Sequence, residues 1–120
     1  MASINDGLKE VMKLTGALGA CVVDYGSGMV LGKAGGGGLD LDLAAAGNTE
    51  VVRAKMKTMK SLGLREKIED ILITLDSQLH IIRPMADHDG LFIYVAIDKE
   101  SGNLALARRK VLEVEKDMDL

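Results

Sequence analysis

The sequence predicts an α+β fold in which an antiparallel sheet carries helices on both faces. Three apolar runs, IEDILITL, QLHIIRPM and LFIYVAI, succeed one another across residues 68–97, broken only by Asp76-Ser77 and Ala86-Asp87-His88-Asp89-Gly90. Connections that short cannot hold the crossover a parallel pair requires, so the runs read as consecutive antiparallel strands. The last run, Leu91-Phe92-Ile93-Tyr94-Val95-Ala96-Ile97, is hydrophobic without alternation, which requires both faces of the sheet to be covered. Amphipathic helical stretches elsewhere in the chain supply the covers.

Ser3 and Asn5 are capping residues beside Ile4, Leu8, Val11, Met12 and Thr15, whose helical spacing marks a first helix. Gly16 and Gly19 bracket the change to Ala20-Cys21-Val22-Val23. The turn Asp24-Tyr25-Gly26-Ser27-Gly28 then leads into Met29-Val30-Leu31, giving a hairpin. The tract Gly35-Gly36-Gly37-Gly38 is too flexible for a regular element and reads as a surface connection. From Leu41 to Leu62 the pattern is helical, with Ala45, Val52, Met56, Met59 and Leu62 on one face and Glu50, Arg53, Lys57 and Lys60 largely on another. Gly47 and Asn48 weaken its beginning, and Gly63 ends it. After the three-strand meander, Ser101-Gly102-Asn103 feeds an N-cap, and Leu104, Ala107, Val111, Val114 and Met118 form a helical stripe. With no internal repeat and no long linker, residues 1–120 read as one domain.

At 120 residues the chain is long enough to bury about two thirds of its unfolded surface without a disulfide. Its one cysteine, Cys21, sits in an apolar run and reads as a buried, inert thiol of a reducing compartment. A net charge of -3 and a scarcity of aromatic residues argue against nucleic acid as a partner. The segment MASINDGLKE lacks the basic and apolar regions of a signal peptide, and no apolar run reaches membrane-spanning length. The expectation is a cytoplasmic protein without membrane insertion.

Candidate chemistry is sparse. Glycines ahead of a helix invite a phosphate-binding reading, but no Gly-Lys-Ser/Thr follows, and Asp40 and Asp42 place carboxylates where a phosphate would approach. Asp87-His88-Asp89-Gly90 is explained by turn chemistry rather than by a metal site. Arg83, at a strand end marked by Pro84, either pairs with Asp87 or Asp89 or meets an acidic partner, and the pairing is the favoured reading. Two histidines, one buried cysteine and scattered serines do not assemble a nucleophile, base and orienting group. No catalytic residue, metal or cofactor is therefore expected.

The residues LTGALGACVVDYGSGMVL at 14–31, LHIIRPM at 79–85, LFIYVAIDKES at 91–101 and NLALARRKV at 103–111, in this order around a central helix, resemble the roadblock domain family. That family includes the dynein roadblock light chain and bacterial partners of small Ras-like GTPases. The turn at 24–28 and the glycine tract depart from the family pattern, so specificity carried by those loops does not transfer. The resemblance implies a roadblock-like, profilin-like three-layer sandwich: a five-stranded antiparallel sheet, the long central helix on one face and the two terminal helices on the other. It also implies a homodimer, or a pairing with another roadblock-family chain. In such a dimer the third strand, Glu69 to Leu75, adjoins its twofold mate, with Val52, Met56, Met59, Ile71, Ile73 and Leu75 near the seam. Arg53, Lys57 and Lys60 of two adjacent helices would then form a shared basic patch for an acidic partner. The implied role is a non-catalytic protein that binds and regulates or scaffolds a small Ras-like GTPase. The alternative is a structural adaptor or small-ligand sensor with a pocket near Cys21, Tyr25 and Met29.

Overall fold

A computed structural model describes residues 2–120. In chain order the elements are α1 (Ile4–Val11), β1 (Ala17–Asp24), β2 (Met29–Gly35), α2 (Leu41–Ser61), β3 (Ile71–Thr74), β4 (Gln78–Pro84), β5 (Leu91–Asp98) and α3 (Leu104–Asp117). The strands form one sheet in the order β2-β1-β5-β4-β3, and every neighbouring pair is antiparallel.

The unbroken apolar run lands at the centre of this sheet. In β5, Ile93, Val95 and Ile97 point to the face covered by α1 and α3, while Phe92, Tyr94 and Ala96 point to the face covered by α2. β1 divides in the same way, Ala20 and Val22 against Cys21 and Val23. The result is the three-layer arrangement, with a core on each side of the sheet.

Local chemistry sets the helix ends. The side-chain oxygens of Ser3, Asp40 and Asn103 accept hydrogen bonds from the amides of Asp6, Leu43 and Leu106 at 3.1, 3.1 and 3.0 Å. Gly63, at φ +73°, closes α2: its amide donates to Lys60 O at 3.1 Å, and that of Leu64 donates to Met59 O at 2.9 Å. At the other end of the chain, the Ala2 amide donates to Asp117 O at 2.8 Å, and that of Asp119 donates to Ala2 O at 2.7 Å. The two ends of the described chain thus meet beside α1 and α3.

Several boundaries differ from the sequence reading. α1 stops at Val11, because the chain turns through residues 12–16 to the positive φ of Gly16, leaving Thr15 exposed. Gly19 lies inside β1, where a Cβ would come within 3.0 Å of the Gly36 backbone. β2 runs on to Gly35, so the glycine tract begins within the sheet. Leu62 caps α2 and is 66% exposed, so it has left the helix's apolar face. The third strand is shorter than 69–75 and spans only Ile71–Thr74. Leu75 lies in the turn, where its amide donates to Gln78 O at 2.8 Å.

Arg83 does not pair with Asp87 or Asp89. Its Nε donates to Glu115 Oε1 of α3 at 2.9 Å, and its Nη1 donates to Glu69 O at 2.9 Å. Glu115 is 2% exposed and also accepts from the Ala86 amide at 3.3 Å. Among the described residues, every buried side-chain nitrogen and oxygen has a partner. Removing one member of such a pair strands the other in the interior. Glu115→Ala is expected to cost about 3 kcal/mol, whereas replacing Arg83 and Glu115 together by Met and Leu costs much less. Urea denaturation of both variants checks this.

Candidate functional site

α2 and the sheet do not match in extent. At 21 residues the helix is about 30 Å long. As far as Val52 it buries Leu41, Ala45, Thr49 and Val52 over β1 and β2, and Thr49 turns its hydroxyl inward to Ala45 O at 2.7 Å. Beyond Val52 it buries nothing completely; Met56 and Met59 are half-buried, while Arg53, Lys55, Lys57 and Lys60 are exposed. The α2 side of β3 and β4 is consequently left half-covered, with Ile71, Ile73 and His80 partly exposed on it.

β3 is also an edge, paired to β4 alone among the described residues. It is held firmly in place. Asp70, just ahead of it, accepts two bonds from Arg108 of α3, from Nε at 2.8 Å and Nη2 at 3.0 Å. Glu69 is fixed through its carbonyl to Arg83. Two long-range contacts therefore present an apolar edge strand in a defined position.

Between the end of α2, residues 63–69 and the end of β4 lies a cavity of about 800 Å³. Met56, Met59, Tyr25, Ile68 and Met85 give it an apolar lining, and Lys60, Arg65, Lys67, Glu66, Glu69 and Asp89 add charges of both signs.

The expected seam residues separate into two groups. Val52 is fully buried in its own chain's core and is not available to a second molecule, whereas Met56, Met59, Ile71 and Ile73 reach the half-covered face. Leu75, beyond β3, is 43% exposed. Arg53, Lys57 and Lys60 lie exposed on α2, and none of them forms an ion pair among the described residues. Arg65 and Lys67, which the sequence reading does not single out, line the cavity past the helix in alternation with Glu66 and Glu69. That reading also missed the placement of His80 beside Tyr94, although the alternation Leu79-His80-Ile81 puts His80 on the α2 side.

Cys21, Tyr25 and Met29 are not brought together around one pocket among the described residues. Tyr25 lines the cavity, Cys21 is buried in the α2-side core, and Met29 is 65% exposed on β2. The start of α2 is occupied by its own carboxylates: Asp40 caps it, and Asp42 pairs with Lys33 at 2.9 Å. His88 and its aspartates lie in a loop closed by the Leu91 amide donating to His88 O at 3.3 Å, with Gly90 at φ +87°. No three His, Cys, Asp or Glu side chains converge among the described residues. No described helix is long and apolar enough to cross a membrane.

Neither a family model nor a curated protein matches the sequence. Solved structures match its fold. A Roadblock/LC7 domain from Streptomyces avermitilis superposes with a TM-score of 0.81 at 17% identity, covering 96% of this chain and 93% of that one. Myxococcus xanthus MglB gives a TM-score of 0.76 at 16% identity over 94% of this chain and 79% of that one. MglB in a tetrameric arrangement gives 0.77 at 17% identity, covering 92% and 80%. The chain has the Roadblock/LC7 fold, as the motifs at 14–31 and 79–111 led us to expect.

Burial pushes the Cys21 thiol up to about 12, with Asp42 adding to the effect. The thiolate is the reactive form, so iodoacetamide at neutral pH is expected to leave Cys21 unmodified in the native protein and to label it fully in guanidinium. Mass spectrometry of the two samples provides the check.

Proposed function

We propose that this chain, folded as a Roadblock/LC7 domain, is a single-domain, non-catalytic docking protein. It acts as a dimer that binds and regulates or scaffolds a small Ras-like GTPase. The observation that carries the reading is the half-covered α2 side of β3 and β4 beside the pinned edge strand. An open apolar edge invites pairing, and a symmetric mate satisfies it in a closed way. In this dimer β3 meets its twofold copy, and Ile71, Ile73, Met56 and Met59 lie at the seam. An assembly of copies is described for one structure of this fold, MglB in its tetrameric arrangement. A second roadblock-family chain is the alternative mate.

The dimer brings two α2 helices together, so that Arg53, Lys57 and Lys60 are doubled on one surface. Such a patch steers an acidic partner and sets its orientation. Acting on a GTPase in this way requires no nucleophile: a surface that holds mobile switch segments in one arrangement lets the GTPase's own groups do the chemistry. The proposed setting is the cytoplasm. The cavity of about 800 Å³ favours one second reading, a sensor for a small ligand.

Ile73→Glu places a charge at the seam and is expected to convert a dimer to a monomer in sedimentation equilibrium. Lys57→Glu combined with Lys60→Glu should leave the dimer intact and slow association with the cognate GTPase by about tenfold, an effect that shrinks as salt is raised. The measurement is stopped-flow binding to candidate GTPases loaded with GDP or a GTP analogue. A monomeric wild-type protein that binds no GTPase in either nucleotide state would overturn the reading, and a thermal shift with metabolites alone would favour the sensor.

A further inference from the structure

His80 is the one histidine on the face that the proposed dimer would close. Along the register it lies between Ile73 of β3 and Ala96 of β5, with its ring edge-on to Tyr94, 5.3 Å between centroids. Gln78 Oε1 stands 2.7 Å from Nε2, and the Tyr94 hydroxyl 3.1 Å from Nδ1. These contacts satisfy a neutral ring: Nε2–H donates to Gln78, and the bare Nδ1 accepts from Tyr94 O–H. A second ring proton would confront the hydroxyl, which would have to turn its own proton away.

Beyond the Gln78 side-chain carbonyl, which serves the neutral ring equally, the surroundings offer a cation no negative charge. β3 presents Ile73, β4 presents Gln78, and α2 places Asn48 by the Tyr94 hydroxyl. The titratable neighbours are Tyr94 and, across from it on β1, Cys21; burial pushes each up to about 12, so neither supplies a negative charge near neutrality. His80 forms no ion pair among the described residues. Burial alone lowers its pKa in the single chain, where the ring is still partly open to water.

We infer that His80 makes the assembly pH-sensitive, the dimer forming with this ring neutral and dissociating as it is protonated. The inference rests on the dimer proposed above. Covering the open face removes the remaining water, which penalises the charged form more in the dimer than in the monomer. The dimer therefore binds fewer protons than two monomers, and its stability is lost as pH falls through the histidine range.

Sedimentation equilibrium of the full chain from about pH 8 to about pH 5, the range in which histidine titrates, tests this. Each of the two rings is expected to weaken association by up to about tenfold per pH unit once the pH is below its value in the monomer. His80→Gln and His80→Phe should remain dimeric with a flat profile. His88→Gln, in the β4–β5 loop, should behave as wild type. As a second measurement, the His80 ring proton followed by NMR should titrate at lower pH in concentrated samples than in dilute ones. A wild-type dimer with a flat profile overturns the inference and leaves the dimer standing. PH dependence that survives in both His80 variants, or is lost in His88→Gln, also overturns it. A monomer at every pH removes the dimer and the inference together.

Discussion

The burial of β5 on both faces governs this molecule. Six consecutive side chains, Phe92 to Ile97, are withdrawn from water, and a strand so placed needs a neighbour on each side and a helix on each face. β1 and β4 become the neighbours because their own alternation sends Ala20, Val22, Leu79 and Ile81 to one core and Cys21, Val23 and Ile82 to the other. The helices follow from the same demand, as α1 and α3 share one side and α2 has the other to itself.

One helix against two produces the asymmetry from which the functional reading grows. α1 and α3 pack against each other as well as on the sheet, whereas α2 is centred over β1 and β2 and leaves β3 and β4 under-covered on its side. Polar contacts make that incompleteness a defined surface. Asp70–Arg108 and Glu69–Arg83–Glu115 hold the approach to β3 from the opposite layer, so the edge strand is fixed even though its outer flank has no mate among the described residues.

What could be read from the sequence was what is encoded locally. Caps at Ser3 and Asn103, the stop at Gly63, the hairpin around 24–28 and the unbroken run of β5 each rest on a few adjacent residues, and each appears where those residues put it. The failures have a common cause in distance. Arg83 meets Glu115 and Asp70 meets Arg108 across more than thirty residues, whereas local sequence points Arg83 to the nearby aspartates and continues the third strand through Glu69 and Asp70. Val52 and Leu62 show a different limit. Helical spacing gives a residue's angle about the axis but not how far the helix reaches past its sheet, so one position on the apolar stripe is sealed and another is open. For the candidate site, Met56, Met59, Ile71 and Ile73 were legible as apolar positions, while the His80–Tyr94 contact required the register of β4 on β5.

The bridge between Ala2 and Met118 carries a consequence for how the molecule can be handled. Because the segments at Ala2 and Asp119 lie alongside each other on the α1–α3 layer, both run on the side of the sheet away from α2. A fluorescent reporter or an affinity tag joined beside these two segments therefore leaves the basic helix uncrowded.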